Sequence, residues 1–442
     1  MKKDTNFLYF LIIWFGDFIS TIGSGLTAFC LGVYAFKLTH MATSTAMIVL
    51  CTFLPAFLFR PVGGVLADRY SRTTLMILGS VGSAIGITFT LLVLMHNSQH
   101  LTLVYVGVMT SSVFFALQNP AYKASVSDFL TEKLYSKASG LLQLSSAAQF
   151  LISPLLGGLL LSIMPISVVL IIDVMTFVLS AYAVFFVKFT MPMKKQKSTE
   201  YKSTNFISEI VEGIKIISKN RSVLMLVTLI SILLFYVGLI QTLLTPMVLS
   251  FANVRTLGMA QSICAIGMVI TSIIISSVKR KKKNTSILAA SLILMGIFFS
   301  FIGITKNIWT VIIPGFLFFS MIPFANSSIE VLIRKNTSND VQGRVWSLIS
   351  VFTYLGSMVA YAVSGFLADN IFNPLFVSNG TLASILGQIF GVGPGRGIAF
   401  IFFLSGIFVV IIGIAVSKLK LIQQLNQDDV LFVENENIFK EA

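Results

Sequence analysis

Charge is what this chain has least of. Only 11% of its 442 residues are Asp, Glu, Lys or Arg, against about 25% in soluble domains, which excludes an ordinary water-soluble fold. Cysteine is scarce as well. Cys30, Cys51 and Cys264 stand apart in apolar stretches without metal-ligand spacing, so they read as packing residues and imply no metal site. Histidine is scarcer in effect, its three copies gathering no His/Asp/Glu cluster of the kind a membrane-embedded enzyme needs. No nucleotide cradle is expected either, because the glycine-rich turn Gly391–Gly397 follows no strand and lacks the Lys-Ser/Thr pair. A cleaved leader is not expected: after Met1-Lys2-Lys3-Asp4 the apolar run reaches about Phe36, too long for the core of a signal peptide. The basic excess, 31 Lys and Arg against 17 acids, lies in short connections and makes no face for nucleic acid.

What the chain has in abundance is apolar sequence, at 56% hydrophobic with a mean hydropathy of +0.91. A bilayer core takes about 20 apolar residues per helix. Twelve spans are expected on that rule, near 8–36, 42–66, 73–95, 101–126, 138–163, 166–189, 222–250, 256–278, 285–304, 308–333, 343–369 and 396–418. Lys and Arg set the orientation. With both termini in the cytoplasm, only Lys37, Arg255, Lys306 and Arg396 of the 31 basic residues face outward. The reading is an all-α multi-pass membrane protein with basic connections inside.

The longest inner connection, 190–221, divides the spans into two groups of six, at 1–189 and 222–418, with a tail at 419–442. It opens as a polar, basic linker. Ile207, Ile210, Val211, Ile214 and Ile217 then recur at helical spacing and predict an amphipathic helix on the inner surface. An internal repeat supports the division, since Asn119–Leu144 parallels Phe324–Leu348 in its order of small residues, charged loop and new apolar helix. The long last outer loop, 370–395, carries Leu382, Ile385, Leu386, Ile389 and Phe390 and predicts a short outer helix.

Charges inside the spans stand out. Asp17 lies about ten residues into the first, some ~15 Å deep at ~1.5 Å per residue. An ion there costs about 2.5–3.5 kcal/mol on insertion scales, which favours the neutral, proton-carrying form. Ser20, Thr21 and Ser24 lie on nearby faces. Two readings stand: Asp17 faces a cavity and handles protons or cationic substrates, or it is a neutral, hydrogen-bonded acid between helices. Asp173 reads as a structural pair, Glu330 and Arg334 as an i,i+4 pair, and Arg60 as snorkelling to the inner surface.

Between the second and third spans stands Gly63-Gly64-Val65-Leu66-Ala67-Asp68-Arg69-Tyr70-Ser71-Arg72, a very short charged loop opened by two small residues suited to a close helix contact. It resembles the loop of the major facilitator superfamily that reads roughly G-x-L-(A/G)-D-R-x-G-R, with Ser71 in place of the later Gly. Its counterpart in the second half would be Lys279-Arg280-Lys281-Lys282-Lys283, which keeps only the basic cluster. Trp14–Ser20, Glu209–Arg221 and Ser153-Pro154-Leu155-Leu156-Gly157-Gly158 are similar to the bacterial drug-efflux branch that includes macrolide exporters. The last of these looks like the antiporters' G-P-x-x-G-G signature, with Ser153 for the first Gly.

The resemblance implies a major facilitator fold of two pseudo-symmetric six-helix bundles and a monomeric drug:proton antiporter of the bacterial cytoplasmic membrane. Its partners would be a small-molecule substrate, protons or another coupling ion, and the bilayer, with no cofactor. A dedicated exporter of an endogenous product such as a siderophore, or an uptake permease, is the alternative. Helices one, four, seven and ten line the cavity in that family, which offers Asp17, Ser20, Thr21, Gln118, Asn119, Tyr236, Gln241 and Asn326 for substrate or proton coupling. Gly64, Asp68, Arg69, Arg72 and Asp128, with Gly343 and Arg344 at the start of helix eleven, would form an inner gate. Pro154, Gly157 and Gly158 would be the antiporter element. The family's antiporters often place an Arg within helix four; this chain has only Lys123, near the inner end.

Overall fold

The structure, a computed structural model, describes residues 2–96, 100–190, 221–277, 284–335, 342–378 and 380–419. With no water in a bilayer core, each spanning segment must satisfy its own backbone, and a helix does so internally. The helices are α1 (Lys2–Thr39), α2 (Ala42–Arg69), α3 (Arg72–Met95), α4 (Leu101–Phe129), α5 (Glu132–Ile163) and α6 (Ile166–Thr190) in the first half. They continue as α7 (Arg221–Leu249), α8 (Val254–Ser277), α9 (Asn284–Phe301), α10 (Trp309–Lys335) and α11 (Gln342–Phe366). Then come a short helix, α12 (Ala383–Phe390), and α13 (Arg396–Lys418). Among the described residues, twelve helices are long and apolar enough to cross a membrane, at the positions expected. The amphipathic helix expected at 207–219 lies outside the described residues.

Two details depart from the simple pattern. Helix α11 does not stop at Phe366 but widens into a π-helical stretch, Leu367–Phe372, before a last turn at Asn373–Leu375. The connection 370–395 is built rather than open: α12 is present, and Phe376 and Phe390 stack edge to face with centroids 6.0 Å apart.

The chain forms two compact units. The first holds residues 1–202 together with 237–265 and 358–398. In it α3 lies against α4 along a face of small residues, where Ser83 donates to the Ser111 carbonyl at 3.1 Å. Phe10, Ile13, Tyr122, Phe129 and Val187 form an apolar cluster near the ends of α1, α4 and α6. The second unit holds residues 203–236, 266–357 and 399–442. Its centre is aromatic: Phe299 is fully buried, with Phe318, Phe402 and Tyr236 around it at ring distances of 5.1, 5.2 and 5.9 Å.

Candidate functional site

Asp17 sits on α1, one helical turn beyond Trp14, whose indole donates to the Leu141 carbonyl at 2.9 Å and ties α1 to α5. The residue as a whole is half-buried, and its carboxylate accepts no hydrogen bond among the described residues. Two groups on α4 interact with it electrostatically. Lys123 is exposed yet close enough to act on Asp17 electrostatically, and the buried Tyr122 hydroxyl, without a hydrogen-bond partner among the described residues, lies in the same field. Sequence reasoning set Lys123 aside because it counts from the inner end. The signal it missed is length: a lysine stem spans more than one turn, so its ammonium need not stay at the depth of its Cα.

The remaining lining candidates do not share one environment. Ser20 is buried at 4% exposure and Thr21 is half-buried. Gln118 is in the α3–α4 interface, 3% exposed against Gly79, and is not on an open face. Asn119, the next residue round α4, is half-buried, and Asn326 on α10 is exposed. Tyr236 is packed on Phe299 and Phe235. Gln241 accepts a hydrogen bond from Tyr361 of α11, whose ring also meets Phe53 of α2. Tyr361 was not singled out from the sequence, since one aromatic among so many carries no pattern of its own.

At the end of α2 the charged loop is half assembled. Arg72 Nη1 donates to Asp128 Oδ1 at 2.7 Å, to the Ala124 carbonyl at 2.7 Å and to Ser127 Oγ at 3.4 Å, fastening α3 to the last turn of α4. Asp68 and Arg69 are exposed and form no ion pair among the described residues. Gly63 is the true contact point, since a Cβ there would run into the Ala116 backbone of α4. Gly64 has nothing within 4 Å, which corrects the expectation that both glycines serve a close approach. Gly343 and Arg344 are in the first turn of α11, and their side chains lie outside the described residues.

The α5 element makes two helix contacts at once. Ser153 donates to the Ile22 carbonyl of α1 at 2.9 Å, and the opposing Gly25 gives it room. On the other face, Gly158 meets Gly258 of α8 backbone to backbone, the Pro154 carbonyl fills the space a Cβ on Gly258 would take, and Ser262 donates to the Leu151 carbonyl at 2.6 Å. Gly157 makes space for Phe29. Deeper in the α1–α6 interface, Asp173 is fully buried; Thr176 donates to its Oδ1 at 3.3 Å, while Oδ2 has no partner among the described residues. Glu330 and Arg334 form the expected i,i+4 pair at 2.8 Å.

Twelve apolar helices, an acid within the first of them and a charged loop between the second and third are the arrangement of a polytopic membrane protein. The Major Facilitator Superfamily profile matches residues 13–361. The chain belongs to the major facilitator superfamily and is one of its transporters. It is 25% identical over 394 residues to macrolide efflux protein A of Streptococcus pyogenes, covering 86% of this chain and 95% of that one. It is 28% identical over 153 residues to the enterobactin exporter EntS of Shigella flexneri, which is 35% of this chain and 37% of that one. The fold matches the crystal structure of a mutant of the nucleoside transporter NupG with a TM-score of 0.72 at 13% identity, covering 93% of this chain and all of that one.

Proposed function

We propose that this transporter exports amphipathic small molecules, macrolide-like or multidrug, across the bacterial cytoplasmic membrane by proton antiport and alternating access. The observation that carries the reading is Asp17, a half-buried acid on α1 without a hydrogen-bond partner among the described residues, in the field of Lys123. Such a group takes up a proton without first breaking a bond. The lysine gives it a reason to release that proton, or to exchange it for a cationic solute. The length and identity of the match to a macrolide efflux protein support export over uptake. The Ser-Pro-x-x-Gly-Gly element at the α5 crossing supports antiport. A potential of ~150 mV is worth about 3.5 kcal/mol per charge, or roughly 300-fold accumulation, so a gradient alone suffices for concentrative export.

A second reading, a dedicated siderophore exporter, has the shorter match to the enterobactin exporter behind it. Proteoliposomes separate the two. A pH jump is imposed and efflux is followed for a macrolide, a fluorescent cationic dye and a catecholate siderophore, in the wild type and in Asp17→Asn. Acid outside should drive macrolide or dye efflux in the wild type, and the variant should lose that pH-driven component at least tenfold. Siderophore movement alone would favour the second reading. Efflux indifferent to pH and potential in the wild type would overturn proton antiport.

A further inference from the structure

Helix α2 begins without a cap of its own. Met41 precedes it and makes no side-chain capping bond, and no acid stands in its first turn. The first N–H groups of a helix have no partner inside it, and they carry the positive end of its dipole. Here the partner comes from another part of the chain. Asp369 Oδ1 accepts from the Ala42 N–H at 3.0 Å, and Oδ2 accepts from the Thr43 N–H at 2.8 Å and from its hydroxyl at 2.7 Å.

Two features of α11 bring that carboxylate into position. Gly365 lets its backbone lie directly on Thr43, where any Cβ would collide. The π-helical stretch Leu367–Phe372 then changes the rotation per residue just where Asp369 stands. The start of α2 is itself held by the preceding turn, in which Thr39 Oγ1 donates to Ser44 Oγ at 2.9 Å and accepts from the Met41 N–H. Ionisable groups on the neighbouring elements are Lys37 and His40 before α2 and Arg396 after α12. Among the described residues none of these forms an ion pair with Asp369, so it is committed to the helix end.

We propose that Asp369 is a latch: it holds the start of α2 to the end of α11 in the conformation that is shut at this outer end, and its release accompanies the parting of these two helices during transport. The arrangement mirrors the inner loop. Asp68 ends α2 as Asp369 ends α11, so each helix finishes in an acid, and at this end of the pair the acid is engaged. The inference rests on the chain's being an alternating-access carrier, not on what it carries or in which direction.

The test uses full-length protein with Cys30, Cys51 and Cys264 replaced by Ser and a single Ser44→Cys, a site 8% exposed beside the latch. Labelling by a membrane-impermeant maleimide is timed in intact cells and in inside-out vesicles, without substrate, so failure of the export reading would leave the result untouched. In intact cells labelling should be slow with Asp369 present and at least fivefold faster with Asp369→Asn, whose amide sets a donor against an N–H. Asp369→Glu should restore most of the protection. Unchanged labelling in Asp369→Asn that elutes as a single species would overturn the latch. Should Asp369→Asn not fold, Thr43→Val removes one bond of the three and should give a smaller rise; no rise would overturn it equally. Labelling only from inside-out vesicles would show this end to be cytoplasmic and overturn a latch on the outer side.

Discussion

Asp17 and Lys123 differ in access, the acid half-buried and the base exposed, and the charge of the lysine acts on the acid at a distance. Exchange of Lys123 for Gln removes a charge that acts on Asp17. pH-driven efflux should then slow several-fold, measured as initial rate against internal pH. Arg72 makes a different prediction, since its guanidinium meets a carboxylate and a carbonyl together and its side chain is only 12% exposed. Arg72→Lys keeps the charge but changes the reach of the group that Nη1 now places on its three acceptors. It should lower the apparent melting temperature by a few degrees, as befits a charged hydrogen bond worth about 1.5–3 kcal/mol, and Arg72→Ala should lower it further.

Helices were the most legible elements and their faces the least. An apolar run of the right length can only be a spanning helix, so the positions of all twelve spans followed from composition. Which side of a helix meets a neighbour does not follow when nearly every side is apolar. Gln118 and Asn119 are adjacent on α4, yet one is sealed against α3 and the other is partly open. The Ser-Pro-x-x-Gly-Gly element shows what a motif conceals. Ser153 looked like a defect in a glycine pattern, but its hydroxyl bonds α1 and the space it needs is supplied by Gly25, far away in sequence. Gly158→Leu should therefore disturb more than α5. Forced against Val254 and Gly258, it should cost about 1–3 kcal/mol of stability by overpacking, read as a lower melting temperature in detergent. Gly64→Ala, facing open space, should melt as the wild type does.

At the scale of the whole chain, the distribution of lysine and arginine is the strongest commitment. A single cysteine in place of Lys306 should label from outside intact cells and one in place of Lys281 only after permeabilisation; the reverse would invert every assignment of inner and outer ends. Hydropathy implied the twelve spans, and the resemblance of Gly63–Arg72 to a family loop implied their arrangement. The Tyr361–Gln241 bond and the Asp369 bonds to α2 were invisible, because each joins residues whose separation along the chain carries no period.

The helix end that Asp369 completes also says something about how the protein is made. More than three hundred residues separate Thr43 from its acceptor. As the chain leaves the ribosome, α2 enters the bilayer long before α11 has been synthesised, and its first turn must remain hydrated at the surface in the interval. The seam between α2 and α11 is thus closed late in biogenesis, only once α11 has arrived.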